Sequence, residues 1–258
     1  MKANQLTDQS AIQPAIFLLA ICTLSAPLAV ASEINVPSDP APASLNGTEI
    51  LNLFDGGSLG DFFILNDQSV LNVQGGTIGY GIYATGSSTI NVFAGDAGST
   101  EYASEINSAA TINFFGGKLG DFGFLDSITN LFGGDAGMNA TITGQVNWHG
   151  GLLQSNFLGT ETGELNVYGR SFEIDGVPLD SLEEGVPFSV TGRGIEISGT
   201  LESHEPFVFR LDASPTNSLT PGFVSPGFAT NLILFVPEPS SVALLVAAVF
   251  GVSARRRS

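Results

Sequence analysis

Few side chains in this sequence could do chemistry. There are 2 histidines, a single cysteine (Cys22), and 25 acidic against 8 basic residues. His149 stands between Trp148 and Gly150, at a place where similar stretches of the chain carry Gln74 or Phe115. This is the substitution pattern of an outward or corner position rather than of a catalytic base. His204 lies in the polar turn Glu202-Ser203-His204-Glu205-Pro206, with no second histidine at ligand spacing for a metal. No Ser-His-Asp arrangement and no zinc motif is present, and no Lys-Ser/Thr follows the Gly-Gly pairs, which excludes a phosphate-binding loop. Only the carboxylates remain. Asp61 and Asp121 occupy equivalent places in two copies of Gly-Gly-x-Leu-Gly-Asp-Phe, and Asp96 and Asp135 in two copies of Gly-Asp-Ala-Gly. A glycosidase needs two carboxyl groups about 5–9.5 Å apart. Asp61 and Asp121 are expected to lie three strand spacings apart, about 14 Å. Asp96 and Asp135 fit Asx-turn residues or calcium ligands, although the nine-residue Gly-Gly-x-Gly-x-Asp calcium repeat is not matched. The sequence therefore predicts no catalytic residue, no metal ligand and no cofactor, and a protein that is not an enzyme.

The elements that must position these groups are set by a repeat. Asparagine flanked by apolar residues and followed by a glycine turn recurs at Asn52, Asn72, Asn91, Asn113, Asn130, Asn147 and Asn166, at spacings of 20, 19, 22, 17, 17 and 19 residues. A fixed period near 20 marks a quasi-one-dimensional array in which each unit packs on its neighbours. Each unit holds a short strand, a Gly-Gly corner and a second apolar stretch, such as Phe62-Phe63-Ile64-Leu65, and no helical periodicity intervenes. The expected fold is all-β: a single-stranded parallel β-helix (solenoid) over residues 47–169. Its asparagines are placed to stack as a hydrogen-bonded ladder at the surface or at a corner. An antiparallel sandwich with evenly spaced hairpins is the alternative.

Residues 32–46, rich in Pro, Ala and Ser, read as a flexible lead-in, with a first imperfect coil at its end as the alternative. After Arg170 the repeat stops, and residues 170–235 read as a β-rich C-terminal cap with strands near 171–178, 188–192, 194–201, 206–211 and 228–235. Phe54, Phe93, Phe115, Phe132 and Tyr168 recur at related positions. A stack of rings inside the coil is the first expectation, and an exposed carbohydrate-binding stripe the second.

Both ends read as processing segments. Residues 1–31 contain the apolar run Ala15–Leu24 and the small-x-small site Ala29-Val30-Ala31, the pattern of a secretory signal peptide cut before Ser32. Cys22 follows Ile21 rather than the small residue a lipoprotein signal requires. The chain past residue 31 thus has no cysteine, which excludes a disulfide framework. Residues 236–258 hold Val236-Pro237-Glu238-Pro239-Ser240, then an apolar stretch, then Arg255-Arg256-Arg257. The prolines keep the motif extended, and the arginines would stay on the cytoplasmic side of an inserted helix. The uncharged stretch from Ser240 to Ala254 spans 15 residues, shorter than the ~18–20 of an ordinary spanning helix. A plain membrane anchor and an apolar helix of a soluble domain are the bland alternatives. Short apolar helices are expected at both termini.

Order, spacing and terminal position make this tail resemble the C-terminal sorting signal of the PEP-CTERM proteins of Gram-negative bacteria. That resemblance implies a membrane protease of the exosortase type as partner, transient membrane insertion by the C-terminal helix, export through the inner membrane, and a cell-surface or extracellular destination after processing. The Asn-Gly-Gly repeats joined to such a tail also resemble bacterial surface proteins, which implies a structural or adhesive role with exopolysaccharide as a partner. A polysaccharide-active β-helix enzyme (lyase or glycosidase) and a carbohydrate-binding module are the alternatives. Between the two processed ends the body keeps four basic residues (Lys118, Arg170, Arg193 and Arg210) and 23 acidic ones, a net charge of −19. Such a surface repels nucleic acid and anionic lipid.

Overall fold

A computed structural model describes residues 31–97, 105–106, 110–119, 124–125, 127–136, 141–153, 158–159, 163–192, 194–211, 223–226 and 231–238. The described residues form a parallel β-solenoid with no helix. The terminal helices expected from the sequence lie outside them.

Nine parallel strands form the main stack: Glu33–Val36, Ile50–Leu53, Val70–Ile78, Thr89–Ala97, Thr111–Phe114, Ile128–Leu131, Gln145–Trp148, Glu164–Ile174 and Asn231–Phe235. At strand spacing this stack is about 38 Å long. A second stack of shorter parallel strands closes the coil, running from Ser44–Leu45 through Phe63–Leu65 and Ile82–Ala84 to Phe223–Pro226. The core follows from period-two alternation. Leu51 and Leu53, Leu71 and Val73, Ile90 and Val92, and Ile112 and Phe114 are buried inside the coil, while the asparagine between each pair points outward. Burying one coil's set (Leu71, Val73, Ile78 and Ile82) contributes about 1.5–3 kcal/mol per side chain before chain entropy is counted. At the corners the main chain turns through positive φ, between 72° and 88° for Gly76, Gly95, Gly117, Gly134 and Gly151. At Gly134 a Cβ would lie 2.5 Å from the Phe114 ring, so geometry and space both require glycine.

The asparagines form one continuous ladder. Asn52, Asn72, Asn91, Asn113, Asn130, Asn147 and Asn166 each donate Nδ2–H to Oδ1 of the preceding rung, beginning at Asn35, over 2.8–3.0 Å. At the start, Asn52 Nδ2 also reaches Glu33 Oε1 at 2.8 Å. At the far end Ile233 occupies the next rung, and the buried Asn166 Oδ1 has no donor.

Two boundaries differ from those expected. The flexible lead-in is instead the first coil: Glu33–Val36 pairs in register with Ile50–Leu53, and Ser44–Leu45 with Ile64–Leu65. The prolines at 37, 40 and 42 lie in the connection between these strands and hide the pattern. The expected cap also divides. Glu164–Ile174 runs out of the stack to pair antiparallel with Glu196–Leu201, which pairs with Pro206–Leu211. Phe223–Pro226 and Asn231–Phe235 then return as last rungs of the two parallel stacks. The antiparallel excursion sits over the core, where Trp148 packs on Phe207 and Phe209 with ring centroids 5.3 and 6.2 Å apart. Phe188–Val190 lies antiparallel on Asn231–Phe235 and closes that edge.

The opposite end has no covering strand among the described residues, and carboxylates close it instead. Ser32 and Val36 give their carbonyls to Ile50 and Phe54, so the main chain of Asn35 faces away from the stack. Asp39 folds back to accept Asn35 N–H on Oδ2 (2.7 Å) and to donate its own N–H to the Asn35 carbonyl (2.6 Å). Glu49 does the same for Asn46, at 2.8 and 3.2 Å. Both contacts occupy edge groups that would otherwise template another strand.

Candidate functional site

The outer face beside the asparagine ladder carries the recurrent aromatics. Alternation places them outside the coil with the asparagines, which corrects the expectation of an internal stack. Phe93, Phe115, Phe132, His149, Tyr168 and Phe235 stack in sequence, with centroids 5.0, 5.1, 4.8, 4.0 and 4.8 Å apart and interplanar angles of 25° or less. Phe54 does not join, since Gln74 occupies the rung between it and Phe93. The rings inside the column, Phe115, Phe132, His149 and Tyr168, have both faces covered by their neighbours. A sugar stacks on an aromatic face, so the ladder offers no stripe of platforms for a carbohydrate.

His149 is a rung of this ladder and also a tether. Its Nδ1 meets Glu202 Oε2 at 2.7 Å. Burial pushes the imidazole below its ordinary value, outweighing the hydrogen bond and charge of Glu202, which pull upward. Around it the turn 202–205 is tied down by Glu202 N–H to the Tyr168 carbonyl (2.9 Å), Ser203 N–H to the His149 carbonyl (3.0 Å) and Gly151 N–H to Glu205 Oε2 (2.7 Å). His204, at φ 73°, lies against Arg170 through Nδ1. Both histidines thus join residues of the solenoid strands to the turn 202–205. Together they latch the antiparallel excursion to the flank of the solenoid.

The carboxylates are dispersed. Asp61 Oδ1 accepts Tyr80 N–H at 2.9 Å, a turn contact between coils, while Asp121 lies outside the described residues. Asp96, Lys118 and Asp135 occupy successive rungs of one column. Two spacings place the acids about 9.6 Å apart with a cation between them. Burial raises the Asp96 carboxyl pKa, and the Lys118 charge lowers it in part. The alternating charge suits attraction along the stack. Among the described residues no three His, Cys, Asp or Glu side chains gather as a metal site.

At the C-terminal end the last rung leads straight into the sorting motif. Val236 is half-buried against the core, and its carbonyl accepts Gly185 N–H at 2.9 Å. Pro237 is half-buried, and the exposed Glu238 side chain lies against Gly185. Pro239, Ser240, Arg255, Arg256 and Arg257 lie outside the described residues, as does Ala29. Ala31 is described and immediately precedes Ser32, whose carbonyl makes the first bond of the solenoid. The folded body thus extends to within a residue of both expected processing segments.

No curated protein and no solved structure matches the chain. A family model does match its C-terminal end: residues 235–257 fit the PEP-CTERM protein-sorting motif. The chain therefore carries the signal by which exosortase, a membrane protein, processes its substrates for export across the inner membrane to the cell surface or beyond.

Proposed function

We propose that the mature body is a non-enzymatic component of the extracellular layer, an acidic rod with a structural or adhesive role in an exopolysaccharide or biofilm matrix. One observation carries this reading. The recurrent asparagines and stacked rings on the outer faces are engaged with their counterparts in neighbouring coils, which builds stiffness along the stack. Its test is to delete the protein from the native cells and measure matrix cohesion and protein retention in the exopolysaccharide fraction. Loss of cohesion restored by an Asp96→Asn variant supports the reading, and unchanged cohesion refutes it.

A polysaccharide-active enzyme is the second reading, favoured by the Asp96-Lys118-Asp135 column alone. It predicts that the exported protein releases reducing ends or unsaturated sugars from the native polysaccharide, and that Asp96→Asn or Lys118→Met abolishes the release.

A further inference from the structure

We infer that Phe62, Ile64 and Tyr83, which meet on the outer face of the shorter stack, form a docking surface for an uncharged polysaccharide strand. The inference deepens the matrix role proposed above and rests on it. Phe62 is 43% exposed and Ile64 40%, and the register places Ile64 beside Tyr83. The Phe62 and Tyr83 rings are 5.7 Å apart and tilted by 35°. Unlike the rungs of the long aromatic ladder, neither covers the face of the other.

The backbone gives an independent sign that Phe62 is placed for contact. Its φ is 53°, and among the described non-glycine residues with positive φ (Phe62, Asp67, Ser171, Asp175 and His204) it is the one hydrophobic side chain. A bulky L-residue is disfavoured in that region, where glycine would sit without strain. The conformation is held from both sides: Phe62 N–H donates to the Tyr80 carbonyl at 2.5 Å, and Tyr80 N–H donates to Asp61 Oδ1 at 2.9 Å. A corner that needed only to turn would be served better by glycine. A strained residue presenting an exposed ring is the signature of a site whose geometry is fixed in advance.

The chemistry of the face selects its occupant. Exposed rings with electron-rich faces accept the C–H face of a pyranose, and the adjoining Asp61 carboxylate can accept a sugar hydroxyl. The same carboxylate, on a body with net charge −19, disfavours an anionic polymer, an anionic lipid surface and a second copy of this chain. A neutral glycan brings C–H faces for the rings and hydroxyls for Asp61 with no charge to be repelled, and it fits this face.

The test uses the processed protein recovered from the cell surface, with wild type and a Phe62→Gly variant titrated with cellohexaose, laminarihexaose and mannohexaose. Hexagalacturonate and phosphatidylglycerol vesicles are the charged comparisons. The expected result is saturable binding of at least one neutral hexasaccharide, weakened about tenfold or more by Phe62→Gly, the scale of one lost ring contact. The melting temperature of the variant should stay level or rise, because glycine relieves the strained φ. The proposal is overturned if no neutral hexasaccharide binds, if hexagalacturonate or vesicles bind in preference, or if Phe62→Gly leaves binding intact. A fall in melting temperature with binding unchanged would make Phe62 a packing residue and overturn it too. Export and matrix retention are read separately by fractionation and cohesion, so failure here is distinguishable from failure of the matrix role.

Discussion

Asn130→Ala tests the side-chain ladder as a source of cohesion between coils. Asn130 donates to Asn113 Oδ1 and accepts from Asn147 Nδ2, both at 2.8 Å, so the substitution removes two hydrogen bonds. Each contributes about 0.5–1.5 kcal/mol net, and the half-buried groups left on Asn113 and Asn147 add a desolvation cost, giving about 2–3 kcal/mol in all. For a body of this size each kcal/mol shifts the melting temperature by roughly 2–4 °C, so a fall of about 5–10 °C is expected. Asn130→Asp should be worse, since its carboxylate keeps the acceptor for Asn147 but confronts Asn113 Oδ1. Asn35 accepts one ladder bond, from Asn52, which also holds Glu33, so Asn35→Ala should cost about 1 kcal/mol or less. Guanidinium unfolding of the three variants, followed by far-UV circular dichroism, measures the differences. A loss below about 0.5 kcal/mol for Asn130→Ala, or an equal loss at Asn35, would refute the ladder as a stabilising element.

Three further outcomes follow from the same contacts. Ser69, Ser88, Ala110 and Ser127 share one buried column, and the Ser88 hydroxyl has no partner, so Ser88→Ala should leave stability unchanged or raise it by up to about 1 kcal/mol in the same unfolding assay. His149 titrates below its ordinary 6.5 when folded. The unfolded chain therefore binds the proton first on acidification, and its contribution to stability is full above 6.5 and declines as pH falls through 6.5 toward the folded value. His149→Phe, which keeps a ring between Phe132 and Tyr168, should flatten this part of the stability profile measured by thermal melts between about pH 7.5 and 5.5. Replacing both Asp39 and Glu49 with alanine should uncover the Asn35 and Asn46 main-chain groups and produce concentration-dependent oligomers in analytical ultracentrifugation, whereas the native body stays monomeric at that edge.

Much of the solenoid is legible in the sequence because its signals are local. The Asn52-to-Asn166 period, the inward apolar neighbours and the glycines at positive φ each act within one coil and repeat. What is hidden depends on contacts across coils or on returns after a long excursion. The first coil is obscured by Pro37, Pro40 and Pro42, which read as a linker although Ile34, Asn35 and Val36 continue the apolar-Asn-apolar pattern. Asn231–Phe235 is separated from the rung it joins by the antiparallel excursion, and Ile233 stands where an asparagine would have revealed it. The aromatics were placeable from parity: Phe93 lies two residues after Asn91 and shares its outward face. His149 reads as drift at the level of one repeat, and only the stack with Phe132 and Tyr168 and the contact with Glu202 show its role. Phe62 stands in an apolar stretch that resembles core, and its positive φ has no sequence signal.

The central claim is that the chain is an exported solenoid released at its C-terminal motif. The most direct measurement is intact mass and cellular location of the protein from native cells, for wild type and for a Pro237→Ala/Glu238→Ala variant. The account predicts a wild-type species outside the inner membrane that starts near Ser32 and lacks Arg255–Arg257, and a variant retained with its tail. Wild type and variant both held in the membrane with intact tails would contradict it.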